Sequence, residues 1–189
     1  MGIRTRAMRA GAALMISLSM AAPILAQGTQ TAAVRIGNFG QINENYYRGE
    51  QPQPGDYSDL AKLGVKMVID LTRGGDDREP GYVEAAGMKF TRIGLTTTDR
   101  PAAADVEKFL TLVNDPANQP VYVHCQGGRH RTGVMTATYR MTHDNWTADQ
   151  AYAEMKKFKF ETLVSHPELK SFVYEFFQAR SAAAANAGK

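Results

Sequence analysis

The chain holds a single cysteine, Cys125, in the stretch VHCQGGRHRTG from Val123 to Gly133. A thiolate is a strong nucleophile, and the residues that follow are suited to holding an anion for it to attack. Gly127 and Gly128 let the backbone curl and approach a ligand closely. A helix starting near Arg129 to Arg131 would bring to the same place its first N–H groups, which have no partner within the helix. Curled amides and a helix N-terminus together make an anion cradle. Arg131 adds a planar fork that matches two oxygens of one phosphate. These surroundings favour the ionised, reactive sulfur, and Thr132 is placed to give it a hydroxyl hydrogen bond. The chemistry within reach is attack by Cys125 on a phosphoryl group. The ordinary alternative is a free cysteine acting as a small buried hydrophobe. The glycines, Arg131 and Thr132 at these positions argue against it. An ATPase phosphate loop would need Gly-Lys-Ser/Thr at the helix start, where Arg-Thr-Gly stands instead.

Elements must deliver this loop. VKMVIDL (Val65 to Leu71), MKFTRIGL (Met88 to Leu95) and PVYVHC (Pro120 to Cys125) read as strands. DYSDLAKLG, closed by Gly64, REPGYVEAAG and DVEKFLTLVN read as helices, the last with Val106, Phe109, Leu110 and Val113 on one face. Beyond Cys125 the chain reads as all helical. Arg131 to Met141 is one helix. Thr147 with Gln150 opens a second, and Ser165 with Glu168 a third, both as capping boxes. The pattern predicts an α/β fold, a mostly parallel central sheet of four to five strands flanked by helices on both faces. In such sheets ligands bind at the carboxyl ends of strands, where Cys125 lies.

The N-terminus has a different character. Arg4, Arg6 and Arg9 precede an apolar stretch from Ala10 to Leu25, and the small Ala26 comes before Gln27. This is the make-up of a secretory signal peptide cut after Ala26, which places the mature protein in the periplasm or outside the cell. The segment is short for a membrane span and contains Ser17, Ser19 and Pro23. No cysteine near it could carry a lipid, so no stable membrane anchor is expected after cleavage. The expected organisation is a signal at 1–26, a linker at 27–34, one catalytic domain at 35–178 and a flexible tail at 179–189. Residues 1–26 hold three arginines and no acid, so of 22 basic residues 19 remain against 19 acidic ones. The high pI therefore belongs to the signal and is no sign of nucleic-acid affinity. One thiol cannot close an internal disulfide, and in an oxidising compartment it calls for a reason.

The run His124-Cys125-Gln126-Gly127-Gly128-Arg129-His130-Arg131-Thr132 resembles the signature of the protein tyrosine and dual-specificity phosphatase superfamily. ENYYRGEQP is similar to that family's opening strand and LGVKMVIDL to its next one. The resemblance covers about Tyr46 to Phe160 and points to the compact dual-specificity group. It implies a phosphocysteine intermediate on Cys125, with the loop amides from Gln126 to Arg131 and the Arg131 guanidinium holding the phosphate oxygens. It implies that His124 orders the loop, and that no metal or other cofactor takes part. The family's general acid is an aspartate on a separate loop. TTTDRPAAADVEKFL resembles the acid loop of phytase-like members with a shorter spacing to Pro101, which points to Asp99, with Asp105 as the alternative.

GGRHRTG also resembles the loop of fungal and plant members that act on inositol pyrophosphates. Arg129 and His130 would be further donors for a polyanion, or else a solvated helix start. The TRGGDD turn after Val65 to Leu71 puts Arg73 where it could rim the site. Lys156, Lys157 and Lys159 read as a solvated face. Trp146, Tyr139, Phe158 and Phe160 read as core. His143 and His166 lack partners at metal-ligand spacing, and His166 reads as a helix start. The expected function is hydrolysis of phosphate monoesters, on a phosphorylated protein or peptide or a small ester such as an inositol phosphate. From other classes, a rhodanese-like sulfurtransferase and a non-catalytic phosphate-binding module remain open.

Overall fold

A computed structural model describes residues 1–2, 34–160 and 166–187. The signal segment beyond residue 2, its cut site, all of the linker but Val34, and Ser165 lie outside the described residues. The elements run β1 (Gly40–Asn43), β2 (Tyr46–Gly49), α1 (Tyr57–Lys62), β3 (Met67–Thr72), α2 (Glu79–Ala85), β4 (Lys89–Leu95), α3 (Ala103–Asn114), β5 (Val121–His124), α4 (His130–His143), α5 (Ala148–Lys157) and α6 (Pro167–Ala187).

The five strands form one sheet in the order β1-β2-β5-β3-β4. β2, β5, β3 and β4 are parallel, and β1 pairs antiparallel with β2. β5 lies in the middle and is buried along its whole length, as expected of a parallel strand covered on both faces. Side chains alternate across such a strand. Val121, Val123 and Cys125 face a core shared with Phe109 of α3 and Met135 and Tyr139 of α4. Tyr122 faces the opposite core, with Tyr57 and Leu60 of α1 and Val83 of α2. The residue that follows it on that side is His124. This parity separates Cys125 from the histidine beside it in the chain.

Helix boundaries follow local chemistry. Gly64 and Gly87, just past α1 and α2, have φ of 82° and 80°, the left-handed geometry that closes helices. Thr147 and Gln150 form the expected capping box of α5. α4 is buried from Thr132 through Tyr139, because the sheet covers one side and α5 and α6 the other. Val134, Ala137 and Met141 pack there with Ala151, Met155, Leu169 and Val173. Ala179 to Ala187, expected as a tail, continues α6 as helix, with residues 181–187 exposed. No helix among the described residues is long and apolar enough to cross a membrane.

Phe109 is fully buried between α3 and the sheet. Phe109→Ala should cost about 3–5 kcal/mol, read as a lowered urea midpoint at unchanged slope.

Candidate active site

Cys125 lies at the floor of a hollow of about 250 Å³ lined by Thr97, Gln126, Gly127, Arg129, His130 and Arg131. The sulfur residue is 2% exposed. The loop over it, Cys125 to Arg129, turns directly into α4, and Gly128 has φ of 59°. A Cβ at Gly128 would overlap the Gly49 backbone and crowd Glu50 N, so only glycine fits against β2 here.

The loop's carbonyls are all engaged. Cys125 O accepts from Gly128 N at 3.3 Å and Gln126 O from Gln51 N at 3.3 Å. Asn38 Nδ2 donates to Gly127 O and Gly128 O at 3.4 and 2.9 Å. Arg48 Nη2 donates to Gly128 O at 2.6 Å. With the carbonyls held by the protein, and Gly128 N itself turned to Cys125 O, the Gln126 and Gly127 N–H groups are the loop amides placed to meet an anion. Arg48 is fully buried, and its guanidinium carbon lies 4.0 Å from the centroid of the Phe158 ring. Burial pulls Arg48 down to about 10, with nearby anionic groups acting against it, so it stays cationic at neutral pH. Asn38 also donates to Phe158 O at 3.0 Å, which ties the end of α5 to the same brace.

Arg131 Nη1 donates to Leu95 O at 3.4 Å, while its Nε is buried without a partner. A buried guanidinium N–H left unpaired is costly, and a phosphate oxygen would satisfy it.

On the opposite face of the sheet, His124 pairs in register with Asp70 of β3. His124 Nε2 lies 2.8 Å from Glu79 Oε1 and its Nδ1 3.9 Å from Asp70 Oδ1. Tyr57 donates to Glu79 Oε1 at 3.0 Å, and Arg92 Nε donates to Asp70 Oδ2 at 2.7 Å. Burial pushes the Glu79 carboxyl up, but His124, Gln51 and Tyr57 outweigh it and hold it below the ordinary carboxylate range. Ligand atoms of Asp70, Glu79 and His124 lie within 4.8 Å of one another, a donor set a cation could use. Arg92 and Tyr57 already engage these carboxylates, so a dication there would stand against a guanidinium.

Residues 33–170 match the sequence model of a family described as DSP-PTPase phosphatase fused to NAD+ kinase. The chain belongs to this family. A Mycosarcoma maydis protein that carries a tyrosine-protein phosphatase name, OCA1, is 32% identical over 128 residues, 64% of this chain and 79% of its own. The inositol diphosphatase SIW14 of Saccharomyces cerevisiae is 28% identical over 129 residues, 65% of this chain and 46% of its own, so the chain spans about half of that relative. The crystal structure of the core catalytic domain of the PP-IP phosphatase SIW14 from S. cerevisiae, in complex with citrate, superposes with a TM-score of 0.65 at 25% identity, covering 80% of this chain and 94% of that one. P. aeruginosa TpbA in complex with pTyr shares the fold, with a TM-score of 0.63 at 24% identity over 76% of this chain and 90% of that one.

In this DSP-type phosphatase the structure gathers Cys125, Gln126, Gly127, Arg129, His130 and Arg131 around one hollow, with Gly128 buried behind them. His124 stands behind the loop, on the other face. Two expectations need correction. Thr132 is buried, but its hydroxyl makes no hydrogen bond, to Cys125 or to any other described residue. Arg73 is exposed and donates from Nε to Gly94 O at 3.3 Å. It lies along β4 and does not line the hollow.

Asp99 stands on the loop after β4, exposed, and its Oδ2 accepts from the Thr96 hydroxyl at 2.8 Å. Asp105 lies in the first turn of α3. Neither lines the hollow, although Thr97 of the Asp99 loop does. A larger and mostly apolar groove of about 480 Å³ lies between α3 and α6, lined among others by Pro101, Leu110, Phe172 and Phe176. It lacks the polar groups that phosphoryl chemistry needs.

The sequence reading missed Arg48, Asn38, Asp70 and Glu79. For Arg48 a signal existed, since a charged residue in a strand-like YYRG run is rarely buried without a fixed partner. Arg48→Met keeps an unbranched apolar side chain in the buried position but removes the guanidinium, and with it both the donor to Gly128 O and the cation over Phe158. It should lower kcat/KM about 100-fold, on the scale of a misplaced catalytic loop, with circular dichroism unchanged. Glu79 binds protons less readily in the folded chain than in the unfolded one. Its stabilisation is thus present above the ordinary glutamate value of about 4.3 and lost as pH falls through the lower folded one. Urea unfolding between pH 3 and 6 should show a shallower acid loss in Glu79→Gln than in the parent chain.

Proposed function

We propose that this protein is an exported phosphatase that hydrolyses phosphate monoesters through a phosphocysteine on Cys125. The reading rests on one observation above all. The loop's carbonyls are drawn into the protein by Arg48, Asn38 and Gln51, while the buried Cys125 and the unpaired Arg131 Nε border the same small hollow.

In the first step Cys125 Sγ bonds to phosphorus as the ester P–O bond breaks, and Asp99 protonates the leaving oxygen. The loop amides from Gln126 and the Arg131 fork hold the three remaining oxygens, over which charge is spread. In the second step water attacks phosphorus and gives a proton to Asp99. The S–P bond breaks, and inorganic phosphate leaves with the thiolate restored. His124 keeps the floor of the loop in place through Glu79 and takes no proton from substrate.

The leading substrate class is phosphotyrosine and related phosphoprotein esters. A second reading, an inositol polyphosphate, is favoured by Arg129 and His130 beside Arg131 at the hollow and by the inositol diphosphatase names of the S. cerevisiae and Arabidopsis thaliana relatives. A phosphate-release panel of an aryl phosphate, phosphopeptides and inositol phosphates separates the two. Cys125→Ser should abolish turnover, and Asp99→Asn should lower it by about 10²–10⁴. A small loss in Asp99→Asn with a large one in Asp105→Asn would move the acid to Asp105. Phosphate binding without release would overturn the enzymatic reading in favour of a binding module, and thiocyanate formed from thiosulfate would favour a sulfurtransferase. Export is supported by the basic-then-apolar N-terminus. The exported form should begin at Gln27 on N-terminal sequencing, and retention of residues 1–26 would overturn the assignment.

A further inference from the structure

The loop that carries Asp99 is tied down on both sides of the aspartate, to His166 just before α6 and to α6 itself. Before it, Thr97 O faces His166 Nδ1 at 2.7 Å. A carbonyl can only accept, so Nδ1 of His166 carries the hydrogen. After it, Arg100 Nε donates to Glu168 Oε2 at 2.8 Å, and its two Nη atoms meet both carboxylate oxygens of Glu175. Glu168 and Glu175 are seven residues apart, two turns of helix, and so share one face of α6. Within the loop, Thr96 Oγ1 accepts from Asp99 N at 3.0 Å and donates to Asp99 Oδ2 at 2.8 Å, which fixes the carboxylate relative to the backbone. The His166 ring stands 3.9 Å from that of His130, centroid to centroid, so the same anchor touches the start of α4. Three parts of the molecule therefore meet here: the Asp99 loop, the phosphate loop's helix, and α6.

We infer that Arg100, with Glu168, Glu175 and His166, positions the general acid. The inference rests on the assignment of Asp99 in the reading above and concerns residues that touch neither substrate nor sulfur. Isolated exposed ion pairs contribute little to stability. A fork engaging two carboxylates, on the residue next to an acid that must meet one leaving oxygen, acts through geometry instead.

The test exploits the fact that protonation matters most for poor leaving groups. kcat/KM covers the steps up to cleavage of the ester bond, so it isolates acid catalysis from hydrolysis of the phosphoenzyme. For Arg100→Ala, kcat/KM with phenyl phosphate should fall about tenfold, a part of what a general acid supplies. With p-nitrophenyl phosphate, whose less basic leaving group needs the proton less, it should stay within about twofold. Arg100→Lys should recover part of the phenyl phosphate rate, and Arg100→Ala should add little on an Asp99→Asn background, since the two act as one unit. Equal losses on both substrates, no loss on either, or full additivity with Asp99→Asn would overturn the inference. Persistence of turnover in Cys125→Ser would instead strike the phosphocysteine mechanism itself, which separates the two failures.

Discussion

A backbone that binds an anion must turn its carbonyls away from it. In this chain that constraint is met by a buried cation. Arg48 reaches from β2 to Gly128 O, with its guanidinium stacked on Phe158, and Asn38 holds the same carbonyl and Phe158 O from the other side. Burying a guanidinium is costly, which is why Arg48 is drawn down toward 10. That cost is met behind the loop that borders the hollow, where a fixed charge holds Gly128 O. The adjacency of β2 and β5, the missing side chain at Gly128 and the placement of Phe158 at the end of α5 all follow from keeping this contact.

The sheet performs a second separation. Because side chains alternate along β5, Cys125 is delivered to the face it shares with α3 and α4, and His124 to the face it shares with α1 and α2. The thiol therefore meets amides and arginine, while the histidine meets carboxylates. Asp70 and Glu79 would repel a thiolate and its substrate if they stood in the hollow. Behind the sheet, paired with Arg92 and Tyr57, they brace the strand end from which the loop departs.

Much of this was legible in the residues. β3 and β5 were plain as apolar runs of the right length, β4 as an alternation, and the α5 capping box as Thr147 and Gln150. The loop residues were plain because glycine, cysteine and arginine at fixed spacing have few other uses together. What sequence could not show is what depends on packing across long separations. β1 is four residues long, irregular at Gln41 to Asn43, and has no alternation to detect. Arg48 sits 80 residues from Gly128, and Glu79 meets His124 only because α2 lies under β5. Arg73 sits on a turn after a strand, as a rim residue would, but its side chain follows the backbone of β4. Thr132 stands in the expected place, yet a hydroxyl's direction is set by what it meets there.

α4, walled in by the sheet on one side and by α5 and α6 on the other, has a consequence for discrimination. A helix buried from Thr132 through Tyr139 has little room to slide or tilt to suit a new guest, so the floor of the hollow offers each ester much the same seat. Whatever distinguishes a flat aromatic ring from a crowded cyclitol must then be decided at the lip, by Thr97, Gln126, Arg129 and His130. Divergence in taste among kindred chains would accordingly be written in those few side chains and leave the seat untouched.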